Sequence, residues 1–193
     1  MSNTNNTEIT KVKIPCRLSY AHIWDPKPST DGGKAKYQVS LLIDKKDTKT
    51  VGLIKAAIEA ALELGKEKKG FKTTKGVKTP LRDGDEERDD ANYAGKYFIN
   101  ANSQTAPEIV KVIKGTTHAI SDRSEVYSGC EAVVVVNFYP FDFEGKKGVA
   151  AGLGNICKLR DGQRLSGGSS AAQDFANVDF ETEENESNEE FDV

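Results

Sequence analysis

The sequence predicts a mainly β fold, a small closed or half-closed barrel with one α-helix and a long inserted loop. Six segments carry strand patterns and only one carries a helical pattern, whereas a parallel α/β sheet would need helices that alternate with its strands. Glycine-rich turns separate the strand segments, which is typical of small barrels. The chain contains no run of about 18 apolar residues, so we expect no transmembrane helix.

The first strand is predicted at residues 11–20 (KVKIPCRLSY), where apolar and polar side chains alternate. A period of two is typical of a strand that is buried on one face. The apolar face carries Val12, Ile14, Cys16 and Leu18. Pro15 has no backbone N–H, so we expect the strand to lie at a sheet edge or to contain a bulge there.

Five further strands are predicted along the chain. They span residues 34–43, 96–101, 108–113, 129–138 and 148–159. The four valines at 133–136 predict a central strand that is buried on both faces. Residues 25–33 (DPKPSTDGG), before the second strand, have the composition of a turn.

One α-helix is predicted at residues 47–64, because apolar residues recur there at helical spacing. Asp47 or Thr48 can cap its start, and Gly65 can end it.

A long inserted loop is predicted at residues 66–95, which show no clear period. Its first half is basic, and its second half contains the acidic run DGDEERDD at 83–90. The basic half is either a flap over a ligand or a solvated loop. A nuclease would require Asp83, Asp85, Glu86 and Asp89 to hold metal ions. We disfavour that hypothesis, because two-metal sites take their carboxylates from separate rigid elements.

The residues of other enzyme classes are not arranged for catalysis. His22 and His118 have no zinc-type spacing with the three cysteines, and no P-loop motif occurs. The cysteines Cys16, Cys130 and Cys157 are odd in number and widely spaced, which predicts reduced thiols in a cytosolic protein. We therefore predict no enzymatic activity, no catalytic residue, no metal site and no cofactor.

Charge is distributed unevenly along the chain. Residues 174–193 contain nine acidic residues and no basic ones. The rest of the chain therefore contains all 27 basic residues and 21 of the 30 acidic ones. Its net charge is +6, although the net charge of the whole chain is −3. We predict a disordered N-terminus at 1–10, a barrel domain at 11–165, and a flexible joint with a disordered acidic tail at 166–193. A basic body with an acidic tail indicates nucleic-acid contact.

Basic and aromatic residues alternate on several predicted strands. Single-stranded nucleic acid is held by cations that follow the phosphates and by rings that stack on bases, although strand aromatics often belong to the core. The predicted backbone-contacting residues are Lys34, Lys36, Lys72, Lys75, Lys96 and Lys146. The predicted stacking residues are Tyr37, Tyr97, Tyr139 and Phe141.

The acidic tail is predicted to compete with DNA for the same groove and, once displaced, to recruit partner proteins. Its predicted partner-binding residues are Asp174, Asp179, Glu189, Glu190, Phe191 and Asp192. The alternative is that the tail only increases solubility.

Six segments resemble a tailed-phage and prophage family of single-stranded DNA-binding proteins. They are RLSYAHIWDPK (17–27), KYQVSLLIDK (36–45), TPLRDGDEER (79–88), GKYFINANS (95–103), VYSGCEAVVVVNFYPF (126–141) and KGVAAGLGNICKLRDGQRLSGGSSAAQDF (147–175). The resemblance covers nearly all of residues 11–175 in order.

This resemblance implies an OB-like β-barrel that coats and protects unpaired DNA during phage replication or recombination, without enzymatic activity. The implied partners are single-stranded DNA and phage or host replication proteins in the host cytoplasm, with no membrane. The oligomeric state stays open. The rival hypothesis is an interaction or inhibitor protein whose acidic tail mimics nucleic acid.

Overall fold

The computed structural model describes residues 9–29 and 32–165. In chain order the elements are β1 (Lys11–Lys27), β2 (Lys36–Asp44), α1 (Thr48–Lys69), β3 (Arg82–Asp83), α2 (Gly84–Glu87), β4 (Lys96–Ser103), β5 (Ile109–Ile113), β6 (Thr116–Ala119), β7 (Glu131–Phe143) and β8 (Lys146–Arg160). Two short 3₁₀ helices lie at Ala91–Tyr93 and Arg123–Glu125. The prediction of a mainly β chain is confirmed.

Five strands close a barrel in the order β1, β2, β4, β8, β7 and back to β1. Their pairings are antiparallel, except that β4 and β8 meet in parallel at Asn102 and Gly152. The β5–β6 hairpin extends the sheet from β8, and β3 pairs with the first half of β4. β6 carries four exposed residues (TTHA) without apolar alternation, and it was not predicted.

The barrel interior is filled by the alternate residues that the period-two pattern predicts. Ile14 and Leu18 of β1 are fully buried, and Cys16 lies between them. α1 packs its apolar face against the same core, through residues that include Ile54, Ile58 and Ala61. Burial of each large aliphatic side chain contributes about 1.5–3 kcal/mol, so this shared core holds the strands that form the outer surface.

β1 differs from its prediction in length. It continues to Lys27, with irregular register against β2 between Ser19 and His22 and again between His22 and Lys27. The prediction for Pro15 is confirmed, because this residue pairs with β7 alone and the ladder to β2 begins only at Arg17.

Three further predictions are wrong. The helix continues past Gly65 to Lys69, because Gly65 gives room to the Phe71 ring and the left-handed C-cap is Gly70. The four valines are not buried on both faces, because only Val134 and Val136 point inward.

The third error is the long loop, since residues 66–95 include the end of α1, β3, α2 and a 3₁₀ helix. These elements cover the outside of the barrel at Leu42 and Phe98, where Tyr93 completes a second small core. Asp83 and Asp90 cap the two short helices through side-chain hydrogen bonds to backbone N–H groups. The acidic run at 83–90 therefore belongs to an ordered segment that covers the outside of the barrel, and it is not a solvated loop.

Candidate nucleic-acid interface

The outer face of β2 and β4 is polar and uncharged at its centre. Gln38 lies opposite Asn102, and Ser40 lies opposite Asn100. Directly opposed Cβ atoms lie about 4.5–5.5 Å apart, and alternate residues along a strand lie about 7 Å apart. Four hydrogen-bonding side chains therefore occupy a small rectangle on the barrel surface.

Tyr20 stands beside this rectangle on β1. It lies within the irregular stretch between Ser19 and His22, and its φ is 45°, in the left-handed region that non-glycine residues rarely adopt. Bulges can redirect a side chain, and the Tyr20 side chain is directed outward, with the residue 58% exposed. Backbone strain of this kind is concentrated at functional sites.

Three adjoining cavities run across the outer faces of β1, β2 and β4, and we call them together the binding groove. The central cavity, about 270 Å³, lies over the rectangle between Tyr20, Lys27 and Arg88. A second cavity, about 520 Å³, lies on the other side of Tyr20 and reaches Leu165. The third, about 140 Å³, shares Lys27 and Gln38 with the central one. Tyr20 thus separates two compartments of one continuous groove.

Cations surround the binding groove. Lys27, Lys34 and Lys36 are exposed and line its third cavity, while Arg88 borders the central cavity and Arg123 the second. Arg123 is also paired with Asp25. A polar floor with cations along the rim suits a chain of phosphates, because these cations can contact the phosphates while the bases lie against the floor.

Tyr93, which lies in the cover outside the barrel, holds one end of the groove floor. This fully buried residue makes side-chain hydrogen bonds of 3.2 Å with both Ser19 and Ser40 through its hydroxyl. Arg88 lies 5.4 Å from the Tyr93 ring centre and 5.1 Å from that of Phe98. The cover at residues 82–95 therefore positions both the floor and one rim cation.

The acidic residues of this cover are engaged with nearby cations. The Lys45 ammonium lies 2.5 Å from an Asp83 oxygen and 2.7 Å from an Asp85 oxygen. The hydrogen bond from Lys45 lowers the pKa of Asp85 below its ordinary value. The hydrogen bonds to Asp83 and then to Asp85 raise the pKa of Lys45. Within residues 9–29 and 32–165, no group of three or more His, Cys, Asp or Glu side chains is placed to hold a metal ion.

The predicted lysines separate into three places. Lys34 and Lys36 lie in the binding groove. Lys96 is paired with Asp44 at 2.8 Å, near the end of β2 opposite the groove. Lys72 and Lys75 are exposed on the segment between α1 and β3.

The predicted stacking residues are all outside the binding groove. Tyr37 and Tyr97 are partly buried and pack against the barrel core. Tyr139 and Phe141 lie on the outer face of β7, and Lys146 lies near the tip of the β7–β8 hairpin. All three residues lie on the β7–β8 hairpin, and their part in binding stays a prediction.

The rings on β7 lie against glycines of β8. The Phe141 ring occupies the place that a side chain at Gly148 would take, 2.6 Å from an ideal Cβ. The Tyr139 ring lies 3.4 Å from the equivalent point at Gly152. The Lys78 carbonyl, from the segment between α1 and β3, accepts a hydrogen bond from Val149 and joins that segment to the hairpin.

Sequence reasoning did not single out Tyr20, Arg88 and the polar rectangle. Polar residues stand at every second position in KYQVS (Gln38, Ser40) and in FINANS (Asn100, Asn102), and that alternation indicated an outward polar face. Nothing in the sequence indicated that Tyr20 would leave the inward face of β1. Trp24 is anchored, because its indole N–H donates to the Val126 carbonyl at 3.0 Å.

The cysteines agree with the prediction of reduced thiols, since Cys16, Cys130 and Cys157 are free. Burial raises the pKa of the Cys16 thiol. None of the helices described is long and apolar enough to span a membrane. The predicted N-terminal residues 1–8, the joint and the tail residues from Asp174 onward lie outside the described residues.

A five-stranded barrel with a groove over its second and third strands is the arrangement through which OB-folds bind oligonucleotides and oligosaccharides. The barrel strands follow this plan, with β2 and β4 as the second and third strands. The fold and groove thus define an OB-fold ligand-binding protein, and the cationic rim favours a polyanion.

Comparisons with known proteins agree with this class. Residues 8–189 match the family model described as "Enterobacter phage Enc34, ssDNA-binding protein". A protein named p50 from Acyrthosiphon pisum secondary endosymbiont phage 1 is 30% identical over 185 residues, which cover 90% of this chain and 97% of that protein. This chain belongs to the Enc34 phage single-stranded DNA-binding protein family.

Two solved structures are also similar. The single-stranded DNA-binding protein of bacteriophage Enc34, in complex with ssDNA, superposes with a TM-score of 0.66 at 26% identity, over 80% of this chain and 88% of that one. A C-terminal truncation of the Enc34 protein gives 0.64 at 27% identity, over 80% and 87% of the two chains. The resemblance seen in the sequence is therefore confirmed.

Proposed function

We propose that this chain is a single-stranded DNA-binding protein that holds the strand in the binding groove. The observation that carries the proposal is the polar floor of β2 and β4, with cations at its rim and Tyr20 at its centre. Membership in the Enc34 family supports the same function.

Each part of the groove has a role in this proposal. Lys27, Lys34 and Lys36 neutralise phosphates at one end, and Arg88 and Arg123 do so further along. Tyr20 stacks on a base, a contact worth roughly 1–3 kcal/mol. Because Tyr20 can stack only on a base that is not already paired and stacked within a duplex, the protein coats unpaired DNA, keeps hairpins open by mass action and shields the strand from nucleases without catalysis.

The acidic tail is proposed to regulate the groove. Leu165, the last described residue, lines the second cavity, and its backbone N–H donates to the Ser128 carbonyl at 2.9 Å. The remaining 28 residues begin at the groove, and at up to about 3.3–3.6 Å per residue they are long enough to reach all of it. DNA would displace the carboxylates, and the released tail would recruit replication or recombination proteins in the host cytoplasm.

The test is a titration of labelled oligo-dT into full-length protein at several salt concentrations. If about four phosphates are neutralised, the logarithm of the binding constant should fall against the logarithm of salt with a slope near −3. A flat response would contradict the groove proposal.

The tail is tested by a matched titration of a variant that ends at Gln173. It should bind oligo-dT more tightly than the full-length protein, because a competing anion is removed. If the shortened protein folds and binds no DNA at low salt, the rival hypothesis of a nucleic-acid mimic is correct.

A further inference from the structure

We propose that the central cavity of the binding groove is a nucleobase site, in which amide side chains hydrogen-bond the edge of one unpaired base. This inference rests on the proposed function and concerns the part of the DNA that enters the cavity. The alternative occupant of the same cavity is a phosphate of the backbone.

The floor of the cavity is made of neutral groups that both donate and accept. Gln38, Asn100 and Asn102 each present a carbonyl oxygen and an NH₂ group, and Ser40 presents a hydroxyl. A phosphate oxygen only accepts hydrogen bonds, whereas the edge of a base offers donors and acceptors side by side. The chemistry of the floor therefore suits a base, and the cations at the rim suit the phosphates.

The amides are free to bind a ligand. Among the described residues, none donates to or accepts from the side chains of Gln38, Asn100 or Asn102, which are half-buried or exposed. Ser40, in contrast, is buried and held by Tyr93. The site thus combines one fixed hydroxyl with three amides that can rotate to match different bases.

The dimensions agree with a single base. The cavity is about 270 Å³, just below the roughly 300–1,000 Å³ of sites for drug-sized ligands. Tyr20 lines one side of the cavity, at a backbone position with a φ of 45°. Stacking on Tyr20 and hydrogen bonds to the floor would act on the same base from two directions.

Because the amides rotate, the site is proposed to accept purines and pyrimidines alike. It should discriminate strongly between a strand that carries bases and one that lacks them. The protein would therefore be tolerant of sequence and still detect bases, which purely electrostatic binding to the backbone cannot do.

The experiment compares labelled oligo-dT, oligo-dA and an abasic strand of equal length. Wild-type protein is measured beside the double variant Asn100→Ala/Asn102→Ala, and Asn137→Ala serves as a control, since Asn137 is an exposed asparagine on the outer face of β7. Each lost amide should weaken binding of both dT and dA roughly 2- to 12-fold, so the double variant should weaken it roughly 4- to 140-fold. Binding of the abasic strand should stay unchanged, which also shows that the variant is folded.

Three results would overturn the inference. Equal affinity of the wild-type protein for abasic and base-carrying strands would show that the cavity holds no base. A loss of abasic binding in the double variant, with its unfolding temperature unchanged, would assign the amides to the phosphate backbone. If Asn137→Ala weakened binding of dT and dA as much as the double variant does, the loss of affinity would not be specific to the cavity. If the wild-type protein binds none of the three strands at low salt, it is the proposed function itself that fails.

Discussion

The outer face of the barrel differs sharply between its two sides. Over β1, β2 and β4 it carries amides, hydroxyls and the strained Tyr20, beneath a cationic rim. Over β7 and β8 it carries rings that lie against glycines, with Tyr139 on Gly152 and Phe141 on Gly148.

The difference shows that aromatic content alone does not locate a stacking site. The Tyr139 and Phe141 rings contact the β8 backbone at glycines. The Tyr20 side chain points outward from a strained backbone position and lines two cavities of the binding groove. We therefore propose that the DNA lies on the polar side, while the part of Tyr139 and Phe141 in binding stays a prediction.

The largest expected effect comes from the cations of the polar side. Replacing Lys27, Lys34 and Lys36 with glutamine removes three phosphate contacts, so the salt slope should become less steep by about 2. When the salt concentration falls tenfold, the binding constant for oligo-dT rises in both proteins. The rise should be roughly 100-fold smaller in this variant than in the wild type. Fluorescence anisotropy across a salt series measures both quantities.

The control for this charge change is the triple variant Lys49→Gln/Lys68→Gln/Lys69→Gln, which removes three exposed lysines of α1 that lie outside the binding groove and were not predicted to contact DNA. Its salt slope should stay close to that of the wild type. Equal changes of the salt slope in the two triple variants would show that only the total charge of the protein matters. The position of the cations at the binding groove would then have no effect on binding.

A smaller effect separates the two sides by their rings. Tyr20→Ala should weaken binding of oligo-dT by about 1–3 kcal/mol, the value of one base stack, while Tyr20→Phe should retain most of the affinity. Tyr139→Ala should change the affinity by less than about twofold, because its ring lies outside the groove. A larger loss for Tyr139→Ala than for Tyr20→Ala would reverse our assignment.

The sequence predicted the parts of the fold that depend on local periodicity. The inward residues of β1, the start of α1 and the edge position of Pro15 all follow from rules that apply to neighbouring residues. The end of α1 did not, because Gly65 is kept inside the helix by Phe71, a contact that only the folded chain makes.

The candidate site was harder to predict, because it too depends on contacts that only the folded chain makes. A strict period of two places Tyr20 on the same inward face as Leu18, and the change of register after Ser19 reverses this orientation. The amides of β2 and β4 become one site only when Gln38 pairs with Asn102 and Ser40 with Asn100. A single sequence does not reveal a bulge or a register between distant strands.

The most direct test of where the strand lies is photocrosslinking of the full-length protein to an oligonucleotide that contains 5-iododeoxyuridine, with the crosslinked residues located by mass spectrometry. We expect crosslinks at Tyr20. Crosslinks confined to Tyr139, Phe141 or Phe143 would instead place the DNA on the β7–β8 side and contradict the proposed position of the strand in the binding groove.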